Sequence, residues 1–195
     1  MRILIIAQPR TGSTVFSKWL SDELQYQRIS EPFNMDKKSE IEDLFNKDNI
    51  VVKLIYEIGR GEWFYDKRIN DIEHLFSMNW DSIFILTRND LKEQAISKVW
   101  ADTNQKWHTN YKINDDWIKK HKKILEKYVK ELEFDKTYLK SIGYNQICYE
   151  NIYENAIDLK KICELLKINQ LKYIEDLNLK NRYRGGPIVK NTKII

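Results

Sequence analysis

The sequence has no long apolar run. No stretch approaches the ~20 consecutive apolar residues that a membrane helix needs. The short run Ile3 to Ala7 leads straight into a polar turn, which is not the layout of a secretory signal. Cysteine is scarce: Cys148 and Cys163 are the two present, and their spacing makes neither a metal site nor a disulfide framework. Cys148 lies in an apolar, strand-like run and Cys163 in a helix-like one, so both read as buried, reduced thiols. Also missing are an internal repeat, a low-complexity segment and any linker that would divide the chain. The expectation is a protein of a soluble, reducing compartment, the cytoplasm, with no membrane attachment.

The 195 residues fit one domain with one sizeable core, residues 1–195, of which 181–195 form a basic, loop-like tail. Hydrophobic residues make up 42% and charged ones 32%, a balance that excludes a disordered chain. The net charge of +4 favours anionic partners without naming one. Basic residues are interspersed with acids instead of forming a stripe, so nucleic acid is not an expected partner.

Strand and helix patterns alternate. Arg2 to Ala7, Ile50 to Ile55, Ser82 to Thr87 and Asn145 to Tyr149 are apolar runs without polar alternation. Such runs suit strands buried on both faces; Arg28 to Ser30 is a shorter one. Helical spacing begins at Thr14 with Val15, Phe16, Trp19, Leu20 and Leu24. Further helices are expected at Ser39 to Asn46, Asp66 to Ser77, Asp90 to Trp107, Asn114 to Lys140 and Ile157 to Leu166. In the longest, Trp117, His121, Ile124, Leu125, Tyr128 and Leu132 share one face, and the run Lys119 to Lys123 reads as a solvated face. The fold class is α/β with a mostly parallel central sheet flanked by helices.

The turn after the first strand, Gln8-Pro9-Arg10-Thr11-Gly12-Ser13-Thr14, carries the chemistry. In a parallel sheet, ligands bind outside the carboxyl ends of the strands. Gly12 permits a tight turn in which successive N–H groups converge. Ser13 and Thr14 add hydroxyls, the following helix aims its positive end at the same point, and Arg10 adds a permanent cation. A capped helix start would explain the hydroxyls but not the Arg. The turn is not a Walker A loop, which needs Gly-x-x-x-x-Gly-Lys. The run Ile83 to Arg88 also ends in a cation where a magnesium-binding acid would stand. Arg88 is therefore a second anion site, or else a surface ion pair with Asp90.

These residues resemble those of the sulfotransferases that use 3′-phosphoadenosine-5′-phosphosulfate (PAPS). Pro9 to Thr14 is similar to their 5′-phosphosulfate loop. Ile85 to Ser97 is similar to the motif in which an Arg at a strand end and a Ser on the next helix hold the 3′-phosphate; those are Arg88 and Ser97 here. The two are nine residues apart where many members have eight, and the longer spacing with Gln94-Ala-Ile-Ser97 resembles the bacterial carbohydrate and nodulation-type branch. Ser30-Glu-Pro-Phe-Asn34 resembles that branch's segment carrying a candidate general base, Glu31. Val51-Val-Lys-Leu54 resembles a strand carrying a Lys, here Lys53, toward the active centre. Cys148 to Tyr153 resembles an element read as structural, and Arg184 to Asn191 loosely resembles a loop that closes over the 3′-phosphate.

The resemblance implies a three-layer, P-loop-like fold and metal-free transfer of a sulfuryl group from PAPS to a hydroxyl of a carbohydrate or other small acceptor, leaving PAP. Arg10, Thr11, Gly12, Ser13, Thr14, Arg88, Ser97 and Arg184 would hold the donor, with Glu31, Arg10 and Lys53 acting in the transfer. Trp63, Phe64, Tyr65, Trp100 and Trp107 would suit an acceptor pocket or the core. His74 and His121 read as packing or surface residues, and His108 as part of an acceptor loop. The competing readings are a P-loop nucleotide kinase or phosphotransferase with a degenerate loop, and a protein that binds PAP or PAPS without turnover.

Overall fold

A computed structural model describes residues 1–31, 47–57, 76–105, 113–153 and 157–167. Five strands, β1 (Arg2–Ala7), β2 (Gln27–Ser30), β3 (Ile50–Ile55), β4 (Ser82–Thr87) and β5 (Asn145–Cys148), form one sheet in the order β2-β3-β1-β4-β5. Every pairing is parallel. The helices are α1 (Ser13–Leu24), α2 (Leu91–Asn104), α3 (Asp115–Ser141), the short α4 (Tyr149–Tyr153) and α5 (Ile157–Leu166).

The uninterrupted apolar runs are explained by helices on both faces. Ile3, Ile5, Val51, Phe84 and Leu86 point to the face covered by Phe16, Trp19 and Leu20 of α1 and by Leu159 and Ile162 of α5. Leu4, Ile6, Val52, Leu54, Ile83 and Ile85 point to the other, where Leu139 of α3 is buried among them. Each such aliphatic chain contributes about 1.5–3 kcal/mol on burial, so the sheet core dominates the fold. A third cluster joins α2 to α3 through Ala95, Ile96, Val99, Leu125 and Leu132.

The expected boundaries hold closely where they can be compared. The chain leaves β5 after Cys148, and Tyr149 opens α4 instead of extending the strand. Helix α2 ends at Asn104, where Gln105 takes a left-handed conformation (φ 53°). On α3, Ile124 is 43% exposed and Leu125 takes the buried position, so the stripe is narrower than its spacing suggests. All four lysines of 119–123 are exposed. Cys163 is buried and Cys148 half-buried; both are free, and burial pushes both thiols up. The expected helix Ser39 to Asn46, most of Asp66 to Ser77 and the tail lie outside the described residues. No helix among the described residues is long and apolar enough to cross a membrane.

The strand order positions the site. From β1 the chain passes through α1 to β2 on one side of the sheet. From β4 it passes through α2 and α3 to β5 on the other. The crevice at the carboxyl ends of the adjacent strands β1 and β4 is the switch point where such sheets bind ligands.

Candidate active site

The turn leaving β1 is held from three sides. Gln8 donates from its backbone N–H to the Leu86 carbonyl (3.2 Å), extending the ladder to β4. Its side-chain Nε2 donates to the Leu132 carbonyl of α3 (2.6 Å). Gln94 of α2 donates to the Pro9 carbonyl (2.7 Å). The Thr11 hydroxyl donates to the Gln8 carbonyl (2.8 Å) and is buried, so it closes the turn and leaves only its backbone for a ligand. Arg10 (φ 63°) and Gly12 (φ 73°) both adopt positive φ.

Gly12 caps α1 with no side-chain acceptor, and the first turn of that helix holds no acid. The N–H end of α1 is thus supplied with neither of the usual internal anions. Gly12 is also pressed by an aromatic ring. A Cβ there would stand 2.8 Å from Cε2 of Tyr153, and the Tyr153 hydroxyl donates to the Gly12 carbonyl (2.9 Å).

Alternation along β3 turns Lys53 to the same face as Val51, beneath α1, and its register sets it between Ile5 and Ser30. The residue is 1% exposed. A buried ammonium is costly unless paired, and here Nζ donates to Thr14 Oγ1 (3.1 Å) and to Glu31 Oε1 (2.5 Å). Glu31 follows β2 directly, and its N–H donates to the Lys53 carbonyl (2.8 Å). Its φ of 52° is unusual for a residue with a side chain. Glu31, Lys53 and Thr14, expected singly from separate segments, therefore form one connected chain.

Arg88 follows β4 and is 7% exposed. Its partners correct the ion pair with Asp90: the guanidinium contacts Glu93, approaches Glu150 at 3.8 Å and lies 4.4 Å above the Tyr149 ring. Asp90 is engaged elsewhere, accepting the Glu93 N–H (2.8 Å) as the cap of α2. Lys136 of α3 donates to the Arg88 carbonyl (2.8 Å) and to Asn89 Oδ1 (2.9 Å); burial, then the neighbouring Lys140, lowers its pKa. Ser97 is buried on α2 and accepts from Arg10 Nε (2.8 Å). The turn after β1 and the helix after β4 thus touch each other through Arg10 and Ser97.

Other participants were read as structural or were not singled out by sequence reasoning. The segment Tyr149 to Tyr153, read as structural, buttresses both turns through Tyr149 under Arg88 and Tyr153 on Gly12. Beside Ser97, the buried Lys98 pairs with Glu57 (3.1 Å) and Asp102 (3.1 Å), and Tyr128 donates to Asp102 (3.1 Å); the i,i+4 spacing of Lys98 and Asp102 was its only signal. Trp100 packs on the α2–α3 cluster. His121 stacks on Trp117 at 4.1 Å and bonds its carbonyl, a structural role. Arg184, Trp63, Phe64, Tyr65, His74, Trp107 and His108 lie outside the described residues.

Glu150 ties the Arg88 turn to acid stability. It accepts the N–H groups of Asn89 and Asp90 at 3.0 Å and the Cys148 thiol at 2.7 Å. Burial alone would raise its pKa, yet these hydrogen bonds outweigh it and hold the carboxyl below its ordinary 4.5. Its contribution to stability is therefore complete above 4.5 and is lost as pH falls through the lower folded-state value. Glu150→Gln is expected to melt lower than wild type at neutral pH, with the difference shrinking in acid; a constant difference from pH 7 to about 3 would contradict this linkage.

Fold and site together define an α/β protein with a parallel sheet whose switch point carries two linked, arginine-bearing turns, at Arg10 and Arg88. No family model matches the chain, and no curated protein is similar to it in sequence. Its fold is similar to that of mouse sulfotransferase SULT7A1, solved in complex with PAP. The TM-score is 0.56 and the identity 15%, over 92% of this chain and 62% of the mouse chain. The chain therefore spans less than two thirds of the length of that protein, and the likeness is one of fold.

Proposed function

We propose that this chain is a cytoplasmic, single-domain sulfotransferase that moves a sulfuryl group from PAPS to a hydroxyl, with a carbohydrate as the favoured acceptor class. The observation that carries the proposal is the contact between Arg10 and Ser97. It joins the turn suited to a 5′-phosphosulfate to the turn suited to a 3′-phosphate. A donor with phosphate on both sides of its ribose needs two such sites at a fixed separation. The carbohydrate preference rests on the resemblance of Ser30 to Asn34 and of Gln94 to Ser97 to the bacterial carbohydrate and nodulation-type branch.

In-line transfer forms a bond from the acceptor oxygen to sulfur as the bond from sulfur to the 5′-phosphate oxygen breaks, leaving that electron pair on PAP. The work of the protein is positioning and charge stabilisation. Arg10 and the N–H groups of Gly12 to Thr14 receive the charge growing on the leaving phosphate. Lys53 bridges the donor side, at Thr14, and the acceptor side, at Glu31. From there it neutralises the sulfuryl oxygens while Glu31 accepts the hydroxyl proton.

The test is an assay of PAP formation from PAPS with carbohydrate and phenolic acceptors, with sulfate located on the product. The expected result is PAP formed in step with a sulfated carbohydrate, and a rate about a hundredfold lower for Glu31→Gln. A Glu31→Gln rate near wild type would remove Glu31 from the base role. Transfer of phosphate from Mg-ATP in place of sulfuryl transfer would overturn the proposal.

A further inference from the structure

The two carboxylates at Arg88 are not held alike. Glu150 is fixed by the backbone N–H groups of Asn89 and Asp90 and by the Cys148 thiol. Glu93 stands at the third position of α2, where a capping box would turn its carboxylate back to the N–H of the cap residue, Asp90. That N–H is already taken by Glu150. The Glu93 carboxylate instead reaches outward to Arg88, and its side chain is 31% exposed against 18% for Glu150.

A carboxylate and a phosphate present the same paired oxygens to a guanidinium. We propose that Glu93 is a built-in competitor of the donor's 3′-phosphate: its carboxylate occupies Arg88 in the empty site and must withdraw into solvent before the phosphate can bind. The proposal rests on the donor-site reading above and adds a specificity-determining residue to it. Two consequences follow from the charges. Affinity for a 3′-phosphorylated nucleotide is reduced by the ion pair that must be broken. Once bound, the phosphate remains beside an acid poised to retake Arg88, which favours release of PAP after transfer. On the 5′ side Arg10 is bonded to Ser97 (2.8 Å).

Calorimetric titration of wild type, Glu93→Gln and Glu93→Ala with PAP and with AMP separates the possibilities, since AMP lacks the 3′-phosphate. Both variants are expected to bind PAP about five- to tenfold more tightly than wild type, with AMP affinity unchanged within about twofold. PAP affinity that stays the same or weakens in both variants would overturn the proposal. So would equal changes for PAP and AMP, which would mark Glu93 as a support of α2. If wild type binds PAP no better than AMP, Arg88 holds no 3′-phosphate, and the donor-site reading fails together with this one. A wild type that prefers PAP with variants that do not differ from it removes Glu93 alone.

Discussion

Lys53→Met is expected to lower the rate of sulfuryl transfer by about two to three orders of magnitude while the protein stays folded. The ammonium joins the residue that would take the acceptor proton to the helix that would hold the donor. Methionine is close to lysine in length and apolar, so the buried stem keeps its packing beneath α1. The partner left behind, Glu31, has 35% of its side chain exposed and can turn to water, so the fold survives. The measurement is kcat for PAP formation, with melting temperature and PAP affinity as controls. A fall in kcat with PAP affinity near wild type assigns Lys53 to the transition state; a matched loss of PAP affinity and kcat/KM would make it a donor-binding residue instead. Activity within a few fold of wild type would remove Lys53 from the mechanism.

Gly12→Ala should cost about 2–4 kcal/mol of stability, because two penalties coincide there. The first is conformational: φ of 73° is a left-handed geometry that L side chains adopt at a cost. The second is steric, since the new methyl would meet the Tyr153 ring at 2.8 Å. The loop cannot relax freely, because Thr11 and Gln94 bond the carbonyls of Gln8 and Pro9 just before it. Urea unfolding of Gly12→Ala, Tyr153→Ala and the double variant separates the terms. Relief of the clash makes the double variant less destabilised than the sum of the singles. Additivity within about 0.5 kcal/mol would show that the ring does not constrain Gly12.

The sheet was the most legible part of the fold. Strands β1, β3 and β4 are buried on both faces, so their apolar runs begin and end where the strands do. The turn from β1 to α1 was legible too, because Gly12 and the hydroxyls of Ser13 and Thr14 mark a tight strand-to-helix turn. Partners were harder. Arg10 and Ser97 are 87 residues apart; their contact depends on β1 lying beside β4, which no periodicity encodes. Proximity along the chain suggested Asp90 for Arg88, but Asp90 is engaged as a helix cap, and Glu93 and Glu150 take its place. Tyr153 lay in a segment read as structural, but its contact with Gly12 exists only once α4 is docked. For Arg10 and Arg88 local physics identified the residue and tertiary placement chose its partner.

The central claim, a donor site that holds both phosphates without metal, is tested most directly by thermal denaturation of the wild-type protein with PAP and with ATP, each with and without magnesium. A ligand at a hundred times its dissociation constant adds about 2.7 kcal/mol of stability, an upward shift of several degrees for a chain of this size. The account predicts that shift for PAP in the presence of a chelator, undiminished when magnesium is withheld. Stabilisation by Mg-ATP alone, with none from PAP, would contradict it.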